Sequence, residues 1–125
     1  MAGHIEVGKA GEAAALEYLG QNGYRILHTN WRYGRFELDI IAQTEDELVV
    51  IEVKTRSTGS MINPEDAVDN RKIRNIISAT DFYIQCYNVD LPVRFDIISI
   101  LGSYPHFEID HIEDAFYPPV SIRKY

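Results

Sequence analysis

From about Ile5 to Gln21 the chain is rich in alanine, and Ala15, Leu16 and Leu19 recur at helical spacing. The pattern predicts a helix with one apolar stripe, ended by Gly23 in a left-handed cap. Glu12 lies three, four and seven positions before those residues and so joins their stripe. A carboxylate there either marks the solvent end of the stripe and favours the helix dipole, or has a task of its own. Tyr24 to Thr29 then reads as a short strand and Tyr33-Gly34 as a turn. Phe36 to Ala42 reads as a strand with alternating faces, Phe36, Leu38 and Ile40 on one and Glu37, Asp39 and Ile41 on the other. The polar run Gln43 to Glu47 turns the chain into Leu48 to Thr55, a second strand rich in β-branched residues. Val49, Ile51 and Val53 take one of its sides, and Leu48, Val50, Glu52 and Lys54 the other. So short a connection predicts an antiparallel hairpin.

Asn63-Pro64-Glu65-Asp66 has the composition of a helix opening: Asn caps, Pro suits the first turn, and the acids favour the positive end of the dipole. The helix runs on or resumes to about Tyr87, with Ile73, Ile76, Ile77, Thr80 and Ile84 inward and Arg71, Lys72 and Arg74 near one end. Pro92 opens a strand from Val93 to Ile100, and His106 to Ile112 reads as a last strand or strand-like tail. The order α-β-β-β-α-β-β is that of an α/β or α+β sandwich on a mixed sheet.

Composition sharpens this picture. The 125 residues, 46% hydrophobic and 25% charged, suit one domain over 1–125, with no repeat, linker or low-complexity tract. A single cysteine, Cys86, excludes an intramolecular disulfide and, near an apolar helix end, reads as a buried thiol. Residues 1–10 carry Glu6 and Lys9 but no apolar stretch of a secretion signal. The longest aliphatic run, Leu48 to Ile51, falls far short of the ~20 residues that span a bilayer. A soluble, cytoplasmic setting without a membrane partner is therefore expected.

A net charge of -7, spread evenly, would repel phosphate. Yet seven of the twelve basic residues, Arg32, Arg35, Lys54, Arg56, Arg71, Lys72 and Arg74, lie between positions 32 and 74. That cluster is either a solvated face or a patch for a polyanion.

The candidate chemistry lies in the hairpin. Glu37 and Asp39 are two apart on one strand, Glu52 and Lys54 two apart on its neighbour. If the faces coincide, three carboxylates and an ammonium converge. Clustered acids repel unless a cation sits among them; Lys54 supplies one charge, and a hard divalent ion such as Mg²⁺ would supply the rest. The competing reading is an exposed sheet face laced with cross-strand ion pairs, each worth ~0.2 to 1 kcal/mol. His4, His28, His106 and His111 lack ligand spacing and read as surface or structural residues. Arg94 and Asp96 share a strand face as a structural pair, and the eight Tyr and five Phe are assigned to core packing rather than to base stacking. There is no phosphate-cradling glycine loop and no nucleophile elbow.

One ordered set of residues carries a resemblance. Gly11-Glu12 with Ala15 and Tyr18-Leu19, Asn30-x-Arg32, Glu37-Leu38-Asp39-Ile40-Ile41-Ala42, Val50-Ile51-Glu52-Val53-Lys54-Thr55-Arg56, Lys72, Arg94-Phe95-Asp96, and His111-Ile112 with Ala115-Phe116 together resemble the YraN-like bacterial family, which is placed in the restriction-endonuclease-like superfamily. The likeness runs from about Gly8 to Phe116. It implies a central mixed β-sheet flanked by helices and, through the superfamily's Asp…Glu-x-Lys signature, a metal-dependent nuclease that hydrolyses phosphodiester bonds in nucleic acid, DNA favoured. Carried across, Asp39 and Glu52 are ligands for Mg²⁺, or Mn²⁺ in its place, with the main-chain carbonyl of Val53 as a third. Lys54 positions or activates the attacking water. Glu12 is similar to the helix acid that some members add, and Glu37 is auxiliary. Phe36 stands where the family usually has Gly. Arg56, Arg71, Lys72 and Arg74 would neutralise flanking phosphates. Without a recognition helix or zinc-finger spacing, structure-selective or non-specific binding is expected. The alternative is a catalytically inactive nucleic-acid-binding or protein-interaction module on the same fold, which the acidic net charge favours. A homo-oligomer is compatible with either.

Overall fold

Ala2–Gln21 forms α1. The chain leaves it through Gly23, whose φ of 87° lets the Tyr24 N–H reach back to the Leu19 carbonyl at 3.0 Å and close the last turn. There follow β1 (Arg25–Tyr33), β2 (Phe36–Gln43), β3 (Leu48–Arg56), α2 (Asn70–Tyr87), β4 (Val93–Ser103) and β5 (His106–Ile112). The computed structural model describes residues 2–56, 69–103 and 105–117. It arranges the strands in one sheet, ordered β1-β2-β3-β4-β5. Every neighbouring pair is antiparallel except β3 and β4, which run parallel. A parallel pair needs a crossover from one end of the sheet to the other, and α2 lies in that crossover.

The order of elements and the mixed sheet agree with the hydrophobic pattern, while several boundaries move. α1 begins at Ala2 rather than near Ile5, and β1 continues to Tyr33 instead of stopping at Thr29. Among the described residues α2 opens at Asp69, whose side chain caps the helix by accepting the Lys72 N–H at 2.9 Å. The predicted opening at Asn63-Pro64-Glu65-Asp66 lies outside the described residues. Gly102, in the β4–β5 hairpin, has a φ of 112°, and a Cβ there would stand 2.6 Å from the His106 carbonyl oxygen, so only glycine fits.

The sheet is buried on both faces. Against α2 pack Leu38, Ile41, Leu48, Val50, Phe95 and Ile97; against α1 pack Ile40, Ala42, Val49, Ile51, Ile98 and Ile100. Each of these side chains larger than Ala42 contributes roughly 1.5 to 3 kcal/mol when fully buried. The alternation expected of β3 holds: Leu48 and Val50 face α2, Val49 and Ile51 face α1.

That of β2 does not. Phe36 and Leu38 share the α2 side with Ile41, whereas Ile40 turns to α1. The cause lies in the strand alongside. Asn30 sits between Thr29, paired with Ile40, and Trp31, paired with Leu38, and has a φ of 51°. A left-handed residue resets which way the following side chains point. Both strands change faces together there. His28 and Trp31 on β1 touch Tyr83 of α2, and Leu38 and Ile41 on β2 pack in the same layer.

Candidate functional site

Glu52 continues the α2-facing row of Leu48 and Val50, and Lys54 follows it. Glu52 is thereby carried into the interior, where it is 2% exposed. β2 and β3 pair from Ile40↔Ile51 to Gln43↔Leu48 and no further. Where the ladder ends, the Asp39 carboxylate takes the place of a backbone partner and accepts the Val53 N–H at 2.9 Å. The first turn of α2 brings Lys72 over the same spot, its Nζ 3.3 Å from Glu52 Oε1. Asp39 and Glu52 line a cleft of about 360 Å³ whose sides include Arg35, Glu37, Arg71 and Lys72.

The electrostatics follow from burial and crowding. Burial pushes the Glu52 carboxyl up to about 7 from an ordinary 4.5, the Asp39 charge adds to the rise, and Lys72 opposes it. Asp39 is raised as well, chiefly by burial, against the Val53 N–H and the Lys72 charge, which lower it. Burial lowers Lys54, and its neighbour Lys72 lowers it further. Lys72 itself is raised, because Glu52 and the surrounding polar contacts outweigh the effect of burial. Two carboxyls raised in pKa and two crowded ammonium groups form a cluster whose protonation responds to any added cation or anion.

The structure therefore brings Asp39, Glu52, Lys54 and Lys72 together, with Glu37 and Arg71 on the cleft walls. Glu37 also meets Arg32, with Nε 3.9 Å from its carboxylate. Glu12 is placed elsewhere. It is exposed on α1, which covers the opposite face of the sheet, and it does not line the cleft. Arg74 is exposed on α2 away from the cleft, and Arg56 ends β3 with Nη1 3.4 Å from the Thr55 carbonyl. Arg35 and Asn75, which line the cleft, were not singled out as site residues by the sequence. The contact of Lys72 with Glu52 did leave a sequence signal, since a lysine in a helix's first turn opposes the dipole and calls for an acidic partner.

A second polar cluster occupies the α1 face. Asp96, fully buried, accepts Arg94 Nε at 2.9 Å and Nη2 at 2.8 Å, lies 2.7 Å from His111 Nε2, and takes the Asp114 N–H at 3.2 Å. Tyr18 of α1 closes it, with its hydroxyl 2.9 Å from His111 Nδ1. The expected Arg94–Asp96 pair is thus one part of a network joining α1, β4 and β5, and His111 is structural. Two readings are corrected. Cys86 is exposed, because in the last turn of α2 it is Ile84 that packs against the core. The aromatic residues do not all serve the core, for Tyr33, Phe82, Tyr87 and Tyr117 are exposed by 37% to 66%.

Among the described residues no three His, Cys, Asp or Glu side chains converge as a metal-binding group, and no helix is long and apolar enough to cross a membrane. Fold and site define an α/β domain on a five-stranded mixed sheet, with an acid pair, one of the two buried, and two lysines where the central hairpin opens. The chain belongs to the uncharacterised protein family UPF0102, whose family model matches residues 11–100. It is 55% identical over 119 residues to a UPF0102 protein of Parabacteroides distasonis, covering 95% of this chain and 98% of that one. A UPF0102 protein of Bacteroides thetaiotaomicron is 55% identical over 120 residues, or 96% and 99% of the two chains. One from Flavobacterium psychrophilum is 45% identical over 117 residues, or 94% and 98%.

Proposed function

We propose that the protein is a metal-dependent nuclease of the restriction-endonuclease-like superfamily, hydrolysing phosphodiester bonds in nucleic acid, DNA foremost, in the cytoplasm. The observation that carries this reading is the pair of the half-buried Asp39 and the buried Glu52, both raised in pKa, at the point where β2 parts from β3. A hard divalent cation suits that pair. Mg²⁺ characteristically takes one or two carboxylates and keeps several waters, so it does not require three protein side chains. In an extended strand the N–H and C=O of one residue share an edge, so the Val53 carbonyl faces the same gap as the N–H that binds Asp39. When bound, Mg²⁺ would acidify the attacking water and offset the charge that develops on the phosphodiester.

The chain's own residues have separable tasks. The Val53 N–H fixes the Asp39 carboxylate, and burial fixes Glu52. Lys54, lowered by burial and by Lys72, gives up its proton more readily than an ordinary lysine, so more of it is neutral amine able to orient the attacking water or take its proton. Lys72, with its side chain 45% exposed, can exchange Glu52 for an incoming phosphate. Arg35 and Arg71 add positive charge at the mouth.

A second reading is favoured by one observation: Lys72 already supplies Glu52 with a counter-charge, as in a purely structural ion cluster on a nucleic-acid-binding or protein-interaction module. Incubation of branched, flapped, single-stranded and duplex substrates with Mg²⁺ or Mn²⁺ separates the two. Cleavage by the wild type and none by Glu52→Gln supports the nuclease. No wild-type cleavage of any substrate supports the module.

A further inference from the structure

Most aromatic contacts on the α2 side have the edge-to-face or tilted geometry of core packing, as where Trp31 meets the buried Tyr83 at 86°. One pair differs. Tyr33, at the end of β1, and Phe82, on α2, stack 3.6 Å apart at 20°, and the two residues are 37% and 39% exposed. A face-to-face sandwich is not what two isolated rings prefer. Its spacing is close to the ~3.4 Å repeat of bases along one strand. A third ring can continue such a stack on an outer face.

The stack is continuous with the cleft from both sides. Tyr33 is separated only by the turn residue Gly34 from Arg35, which lines the cleft. On α2, Arg71, Asn75, Ser78 and Phe82 fall at i, i+4, i+7 and i+11, one row along the helix. Arg71 and Asn75 line the cleft, and Ser78 and Phe82 are exposed beyond it. α2 carries three cations, Arg71, Lys72 and Arg74, against one carboxylate, Asp81. Ten residues separate Lys72 from Phe82, about 15 Å of helix, or about four nucleotides at the spacing of a stacked strand.

We infer that the Tyr33–Phe82 stack is a base-stacking shelf for unpaired nucleotides, which makes single-stranded nucleic acid, alone or as a flap, the substrate class of the cleft. This deepens the nuclease reading and rests on it. In a duplex the base faces are already stacked on one another and the shelf has nothing to hold; in a single strand they are free. The basic row draws the backbone toward the acid pair, and the shelf holds the bases a few nucleotides away.

The test uses the full chain in EDTA, so that binding is read without cleavage. A single-stranded oligonucleotide carrying 2-aminopurine and its blunt duplex are titrated with wild type, with Tyr33→Leu plus Phe82→Leu, and with Phe82→Trp. The wild type is expected to favour the single strand and to quench the 2-aminopurine. The leucine pair, which keeps apolar bulk without a ring, loses about ten-fold or more on the single strand and little on the duplex, while Phe82→Trp keeps the affinity. If the leucine pair fails to fold, Phe82→Leu alone, at an exposed position, carries the comparison. Equal loss on both ligands, unchanged single-strand affinity, or no wild-type binding overturns the shelf. So does a wild-type dimer that the leucine variants abolish, since a second copy of the chain would then cover the rings. Single-strand binding with no cleavage in Mg²⁺ refutes the nuclease alone; cleavage that the leucine variants leave untouched refutes the shelf alone.

Discussion

Replacing Glu52 by Gln keeps the shape of a side chain that is 2% exposed and removes its charge. In the folded protein this carboxyl is pushed up to about 7, against 4.5 ordinarily. At about 1.4 kcal/mol per pH unit, that gap favours the neutral form by about 3 kcal/mol. The sign follows from proton linkage. The folded state holds the Glu52 proton more tightly than the unfolded state, so stability falls as pH rises from about 4.5 to about 7, and the full cost applies above that. Below 4.5 both states are protonated and the effect vanishes. Against a total of ~5 to 15 kcal/mol for a domain, about 3 is large. The Gln variant should lack this slope. Lys72, half-exposed, returns to water when its partner goes, so its loss offsets only a small part. Urea unfolding of both proteins from pH 4 to 8.5 reads the difference directly, since a chain this short is expected to unfold in two states. Mg²⁺ at pH 8 should restore stability to the wild type and not to the variant, by about 2.7 kcal/mol at a hundred times its dissociation constant. Parallel pH profiles, or a wild type that gains on the variant as pH rises, would refute the reasoning.

Other outcomes follow from the same contacts. Lys54→Met should leave Mn²⁺ affinity, measured by calorimetry, unchanged or slightly tighter, because a nearby positive charge is gone; single-turnover cleavage should be lost, and equal rates would remove Lys54 from the chemistry. Affinity for nucleic acid should fall linearly with log salt, and Arg35→Ala with Arg71→Ala should reduce the slope by about one to two if both meet phosphates; an unchanged slope would place them outside the contact. Asp96→Asn strips the Arg94 guanidinium of its buried carboxylate and should cost about 3 to 5 kcal/mol, seen as a fall in Tm. Although burial alone would raise Asp96, His111 and Arg94 hold it below the usual carboxylate range. Its contribution is therefore present above pH 3.8 and lost as pH falls through the depressed value, so an acid limb that survives in the variant would point to another group.

That Glu52 and Lys54 share a face was legible because strand parity is local. Leu48, Val50, Glu52 and Lys54 share a face whatever packs on it, and the structure keeps them there. The faces of β2 were not legible, since their reversal depends on the left-handed backbone of Asn30 in another strand, and asparagine only permits that conformation. Nor could spacing reveal which side of the sheet α1 would cover. Glu12 lies at the end of its apolar stripe as read, but that stripe docks on the face turned away from Lys72. Arg35 counted in the basic cluster but could not be placed at the site for a simpler reason: a residue in a tight turn has no periodicity, and its place on the cleft wall follows from where the hairpin tip comes to rest. The depth at which Glu52 sits belongs to tertiary structure alone.

The parallel pairing of β3 with β4 also has a kinetic meaning. β1, β2 and β3 follow one another through short turns, so their contacts close small loops, whereas Leu48 on β3 must find Val93 on β4 across 45 residues of chain. Closing so long a loop orders many residues before any contact offsets the entropy, and non-local pairings of this kind slow folding. The order expected is a β1–β3 meander first, with α2 and β4 joining later, and pulsed hydrogen exchange that protected β4 before β2 would contradict it. Asp39 and Glu52 then become neighbours early, on a half-built and still hydrated sheet. Lys72 reaches them only when the crossover closes. The cations of α2, Arg71 and Lys72, and the low-dielectric surroundings thus arrive in a single late event, so a partly folded chain holds the acids with Lys54 but not the closed site.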